Sequence, residues 1–100
     1  MSNHSRELPI PPRASSDADA AEILRAWIVG GSLEVSLLRV WDEPDGWWIL
    51  LVDLARHASR AFAREGICSE HTAMERIRGI FDAEWDRPTD LGTTEKVTKQ

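Results

Sequence analysis

Asp53 and His57 stand four residues apart, which puts both side chains on one face if the segment is helical. In that arrangement a carboxylate takes a hydrogen bond from one imidazole nitrogen and leaves the other free as a base or a metal ligand. The plainer reading is that Asp53 orients a partly buried histidine or pairs with Arg56. No serine or cysteine stands where a nucleophile is needed, and no catalytic motif is matched, so the pair is a candidate and not a signature. Arg56, Arg60 and Arg64 recur every four residues and make a basic ridge that could hold an acidic ligand, because guanidinium groups bind oxyanions bidentately. A solvated face whose arginines pair with Asp53 and Glu65 is the commoner outcome for such a ridge. Cys68-Ser69-Glu70-His71 gathers metal-ligating types too tightly for a zinc spacing, and neither a metal nor a cofactor is expected.

Five tryptophans are many for 100 residues. Tryptophan buries a large area while its N–H seeks a partner, so it suits cores, interfaces and pockets alike. Trp27 and Trp85 fall on helical stripes and are expected in the core. Trp47 and Trp48 point about 100° apart on a helix, so one of them is expected to line an interface or a pocket.

The elements that position these residues follow from periodicity. Ser16 can cap a first helix, in which Ala20, Ile23, Leu24, Trp27 and Ile28 recur at helical spacing until Gly30-Gly31 ends it. Leu33-Glu34-Val35-Ser36-Leu37 alternates strictly, as a half-buried strand does, and the pattern slips at Leu38. Residues 42–66 admit two readings. In one, Glu43-Pro44-Asp45-Gly46 is a turn and Trp47 to Leu54 the second strand of a hairpin. In the other, Asp42 caps a helix that holds Pro44 in its first turn and runs to Glu65, with Gly66 as terminator. The polar positions Asp53, Arg56, His57, Arg60 and Arg64 share one helical face, opposite Trp47, Leu51, Leu54, Ala58 and Phe62, which favours the helix. A last helix, capped by Ser69, runs to Trp85 on a stripe of Met74, Ile77, Phe81 and Trp85, with His71 exposed in its first turn; Pro88 stops it.

The expected fold is therefore α+β, helix–strand–long helix–helix, with α-β-β-α-α as the alternative if a hairpin turns at Pro44–Gly46. Residues 1–15 read as an extended proline-containing arm, 16–88 as one domain, and 89–100 as a polar, disordered tail. A lone strand must pair with the Leu8–Pro12 segment, the tail around Val97 or the same strand of a second copy; Pro9, Pro11 and Pro12 spoil the arm as a ladder partner, and the tail is too polar to be favoured. Pairing with the same strand of a second copy also covers Trp47 to Val52, which is apolar on every side, and so predicts a homodimer.

Net charge −5 argues against a dedicated nucleic-acid binder. No apolar run is long enough to span a bilayer, no secretory signal is visible, and the lone Cys68 suits a reducing compartment, so a bacterial cytoplasmic protein is expected.

Several segments in order carry a resemblance: Ile10-Pro11-Pro12, Glu22 to Trp27, Leu33 to Leu37, Trp41 to Pro44, Trp47, Leu51 to His57, Phe81 to Glu84 and Pro88 to Asp90. Over roughly residues 8–90 the chain resembles the bacterial domain-of-unknown-function family 5076. The resemblance implies a short single-domain protein, seen mainly in alphaproteobacteria, of no assigned activity, and it brings no catalytic residues. The functional expectation is a non-enzymatic homodimeric binding module for a protein or a small acidic ligand, with Trp47, Trp48, Arg56, Arg60 and Arg64 as candidate contacts. The alternative is a small enzyme using Asp53 and His57 in a pocket walled by Trp47 or Trp48.

Overall fold

The computed structural model describes residues 5–89 and 92–97. A single helical turn, α1 (Pro12–Ser15), precedes strands β1 (Leu24–Val29) and β2 (Ser32–Leu38); helices α2 (Asp45–Arg64) and α3 (Glu70–Asp86) follow, and then strand β3 (Thr93–Val97). The fold is α+β, with a three-stranded sheet ordered β1-β2-β3.

The segment expected as a first helix is instead β1. Gly30 and Gly31 both take positive φ, +58° and +85°, and make a two-residue turn that pairs Val29 with Ser32. Two glycines in the left-handed region fit the twist of a hairpin, whereas a helix terminator needs only one. Upstream, Ser16 caps nothing: its hydroxyl donates to the Arg13 carbonyl, and the Asp17 carboxylate accepts from the Asp19 N–H in a local turn. Trp27, Ile28 and Val29 are all strand formers, so the hairpin gains local support where the helical stripe claims them.

β2 is not a lone strand. It pairs antiparallel with β1 along one edge and parallel with β3 along the other, so both ladders are satisfied within the chain, and strand pairing between two copies is not what β2 needs. β3 comes from the stretch expected as a polar tail; residues 1–4, 90–91 and 98–100, from the expected arm and tail, lie outside the described residues.

The register sorts side chains by face. Leu24, Ala26 and Ile28 of β1 lie directly across from Leu37, Val35 and Leu33 of β2, so one face of the hairpin is wholly apolar. The other face carries Arg25, Trp27 and Val29 against Ser36, Glu34 and Ser32.

Residues 45–64 are helical, as the polar periodicity requires, and the turn signal at Pro44-Asp45-Gly46 proves to be a helix start. Pro44 rather than Asp42 occupies the cap position, and its carbonyl accepts from the N–H groups of Trp47 and Trp48. Gly46 is there for space: a Cβ at that position would collide with the Trp41 ring. At the other end Gly66, at φ +72°, closes α2 with paired bonds from Ile67 N–H to the Phe62 carbonyl and from Gly66 N–H to the Ala63 carbonyl. The Ser69 hydroxyl then caps α3, accepting from the Thr72 N–H at 3.0 Å.

α2 and α3 pack against each other as a helical hairpin. Ser59 is wholly buried and Ala73 nearly so, and no other described residue is. Because β2 and β3 are parallel neighbours, the helix pair is the crossover between them, and such helices ordinarily lie on the sheet. Here neither helix brings a Cα within 8 Å of a strand Cα. The radius of gyration, 15.4 Å, accordingly exceeds the value of about 13 Å for a compact chain of this length.

The Ser59 Oγ has no hydrogen-bond partner. Ser59→Ala should therefore be neutral or stabilising by up to about 1 kcal/mol, since it removes an unsatisfied buried hydroxyl. Ser59→Leu should cost about 1–3 kcal/mol by forcing the helices apart. Denaturant unfolding followed by helical circular dichroism measures both.

Candidate functional site

Between α2 and α3, beyond the Ser59–Ala73 approach, the helix pair opens into a groove of about 410 Å³. Trp48, Leu51 and Val52 line it from α2, and Ile77 and Phe81 from α3. Arg78 and Asp82, one helical turn apart on α3, bring opposite charges to an otherwise apolar cleft. Trp48 stays 59 % exposed there. The gradient of side-chain size shapes the groove: small residues let the helices touch near their connection, and large ones hold them apart further on.

Trp47 points elsewhere. Its ring meets Trp41 edge to face, with centroids 5.5 Å apart and planes at 87°. The Arg39 guanidinium donates to the Trp41 carbonyl at 2.6 Å and lies 3.7 Å from Asp42. The connection from β2 to α2 is thus pinned to the start of the helix. The two adjacent tryptophans divide as their angular separation requires, one on the connection and one in the groove.

Asp53 and His57 lie on the exposed side of α2, away from the groove, with no hydrogen bond or ion pair between them. Arg56, Arg60 and Arg64 share that side; Arg60 approaches Glu70 of α3 at 3.6 Å, while Arg56 and Arg64 have no carboxylate partner among the described residues. Among the described residues no group of three or more His, Cys, Asp or Glu could hold a metal ion. His71 is exposed in the first turn of α3 and Cys68 is half-buried in the connection. Trp27 and Trp85 are not helical core residues: Trp27 lies on the polar face of β1 and Trp85 is 67 % exposed beside Phe81.

One charged cluster escaped the sequence reading. Arg25 of β1 pairs with Glu22 at 3.0 Å and with Glu7, so that the N-terminal segment is held against the sheet beside a hollow of about 170 Å³. Hydrogen bonding to Glu22, then the charges of Glu22 and Glu7, push the Arg25 pKa up against some desolvation, so the guanidinium stays charged throughout the accessible pH range. Nothing in the local spacing announces the pair with Glu7, which is eighteen residues away.

What this geometry defines is a small α+β chain whose helical crossover carries an open apolar groove. The chain belongs to the family named Domain of unknown function (DUF5076), whose pattern it matches over residues 7–89. No curated protein matches it. Among solved structures it is similar to a "putative pyruvate dehydrogenase from the photosynthetic bacterium Rhodopseudomonas palustrus CGA009", with 43 % identity over 98 % of this chain and 100 % of that one, at a TM-score of 0.73. No helix among the described residues is long and apolar enough to cross a membrane.

Two substitutions probe these contacts. Gly46→Ala should drive the Trp41 ring off Trp47 and flatten the near-ultraviolet tryptophan circular dichroism while leaving helical content unchanged. Arg25→Met should free the segment around Glu7 and speed its cleavage in limited proteolysis, with little change in global stability for so exposed a cluster.

Proposed function

We propose that this chain is a non-enzymatic homodimeric binding module of the cytoplasm, whose target is a protein or small ligand bearing negative charge. The observation that carries the reading is the apolar surface that one copy leaves in water. A single chain exposes 8913 Å², whereas a compact monomer of its 11.3 kDa exposes about 5,700 Å². Ile28, Ile49, Ile80 and Trp85 are each more than 60 % exposed. Together with the groove lined by Trp48, Leu51, Val52, Ile77 and Phe81, they support an interaction site. The charged target is supported by the ridge on the outer side of α2, where Arg56 and Arg64 keep guanidinium groups without a carboxylate partner among the described residues.

The enzymatic alternative draws on the Asp53–His57 spacing and on the name of the solved relative. Against it, the two side chains lie in the open, outside the Trp48 groove and unpaired with each other. General acid–base work needs a base within hydrogen-bond reach of a held substrate, and no wall holds one there.

Native mass spectrometry at low micromolar concentration is the decisive test, and a species of twice 11.3 kDa is the expected result. A monomer would overturn the homodimer. Replacing Arg56 and Arg64 together by Glu should weaken retention of an acidic peptide about tenfold without changing that mass. His57→Ala should alter neither.

A further inference from the structure

Each chain carries two uncovered apolar surfaces of matching kind. One is the hairpin face of Leu24, Ala26, Ile28, Leu33, Val35 and Leu37; the other is the α2–α3 groove with Trp48 and Phe81 at its mouth. A helical crossover between parallel strands ordinarily covers such a face, yet here neither helix reaches a strand of its own chain. We propose that the second copy covers both by reciprocal exchange: the helix pair of each chain lies on the apolar sheet face of its partner. The inference rests on the homodimer proposed above and specifies its interface.

Three observations favour this exchange over contact between like surfaces. The first is area. The surplus exposure over a compact monomer is on the order of 3,000 Å² per chain, polar and apolar together, well above the roughly 800 Å² per partner that a standard interface takes. Two helix–sheet contacts per dimer cover both apolar surfaces, whereas a single sheet-to-sheet or groove-to-groove contact leaves the other surface in water. The second is the connection between β2 and α2. Trp41 is packed on Trp47 over Gly46, and Arg39 is bonded to the Trp41 carbonyl, so the segment is fixed in a form that holds the helix pair away from its own sheet. A rigid connection that opens a chain is a recognised route to exchanged dimers. The third is shape and chemistry. The aliphatic hairpin face, with Thr94 of β3 beside Val35 at its margin, and the largely apolar groove, with Arg78 and Asp82 in its lining, bring together apolar side chains whose backbone ladders and helical bonds are already made internally.

The test uses the full chain with the photoreactive residue p-benzoylphenylalanine in place of Ile28, which is 72 % exposed on the apolar face. On irradiation, a covalent species of twice the chain mass is expected, with the new bond mapping to a peptide of α2 or α3 lining the groove. A product that keeps the mass of one chain but joins the sheet to the helices would show that the helix pair closes on its own sheet. A covalent dimer joined sheet to sheet would show that like surfaces meet. Either result overturns the exchange while the homodimer is judged separately from native mass, where only a monomer removes both. A second probe at Leu33, across the ladder from Ile28, must give the same assignment, which guards against a local effect of the first. Trp48→Asp, at the groove mouth, should then weaken dimerisation by about tenfold or more, and a dimer indifferent to it would count against the exchange as well.

Discussion

The constraint on which the rest of this structure depends is that apolar area must leave water, and one copy of the chain does not accomplish it. The helices are formed and β2 is paired along both edges, but only Ser59 and Ala73 are buried among the described residues. A domain of 100 residues has a narrow margin, because its surface is large relative to its volume. When its helices and its sheet do not share a core, each layer is left with one apolar face and no opposing layer. The exposed tryptophans and isoleucines follow from that separation; they are not scattered accidents of composition.

Helices were the legible part of the sequence, because the physical signals there were redundant. For α3 the stripe of Met74, Ile77 and Phe81, the Ser69 cap and Pro88 all agree, and the structure adds the Thr72 N–H bond that makes the cap real. For α2 the polar spacing outvoted a turn signal at Pro44-Asp45-Gly46. The reason for that signal lies in packing: a glycine at a helix start makes room for the Trp41 ring. Sequence shows the glycine and cannot show the ring above it.

β1 was illegible for a different reason. Leu24, Trp27 and Ile28 satisfy a helical stripe, while Leu24, Ala26 and Ile28 satisfy a strand alternation, and over so short a run the two periods overlap. Gly30-Gly31 then serves either reading, as a helix terminator or as a hairpin turn. What separates them is the partner: Leu33, Val35 and Leu37 alternate in register with Ile28, Ala26 and Leu24 across the turn. The pairing of two segments carries information that neither segment holds alone. β3 is harder still, since Thr93, Thr94 and Glu95 lie on an edge strand and bury little of their own; parallel bonding to β2 places them, not their hydropathy.

The candidate site shows the same division between spacing and environment. Spacing placed Asp53 and His57 on one face correctly, but catalysis needs enclosure, and enclosure depends on which way that face turns relative to α3. Ser59 and Ala73 are the buried residues of the helix pair, Trp48, Leu51 and Val52 line the groove, and the arginines lie on the exposed side of α2. The rotation of this twenty-residue helix against α3 decides which side of it is available for burial and which for charge. The groove and the ridge are two consequences of that rotation, which gathers apolar side chains between α2 and α3 and leaves the basic side facing solvent.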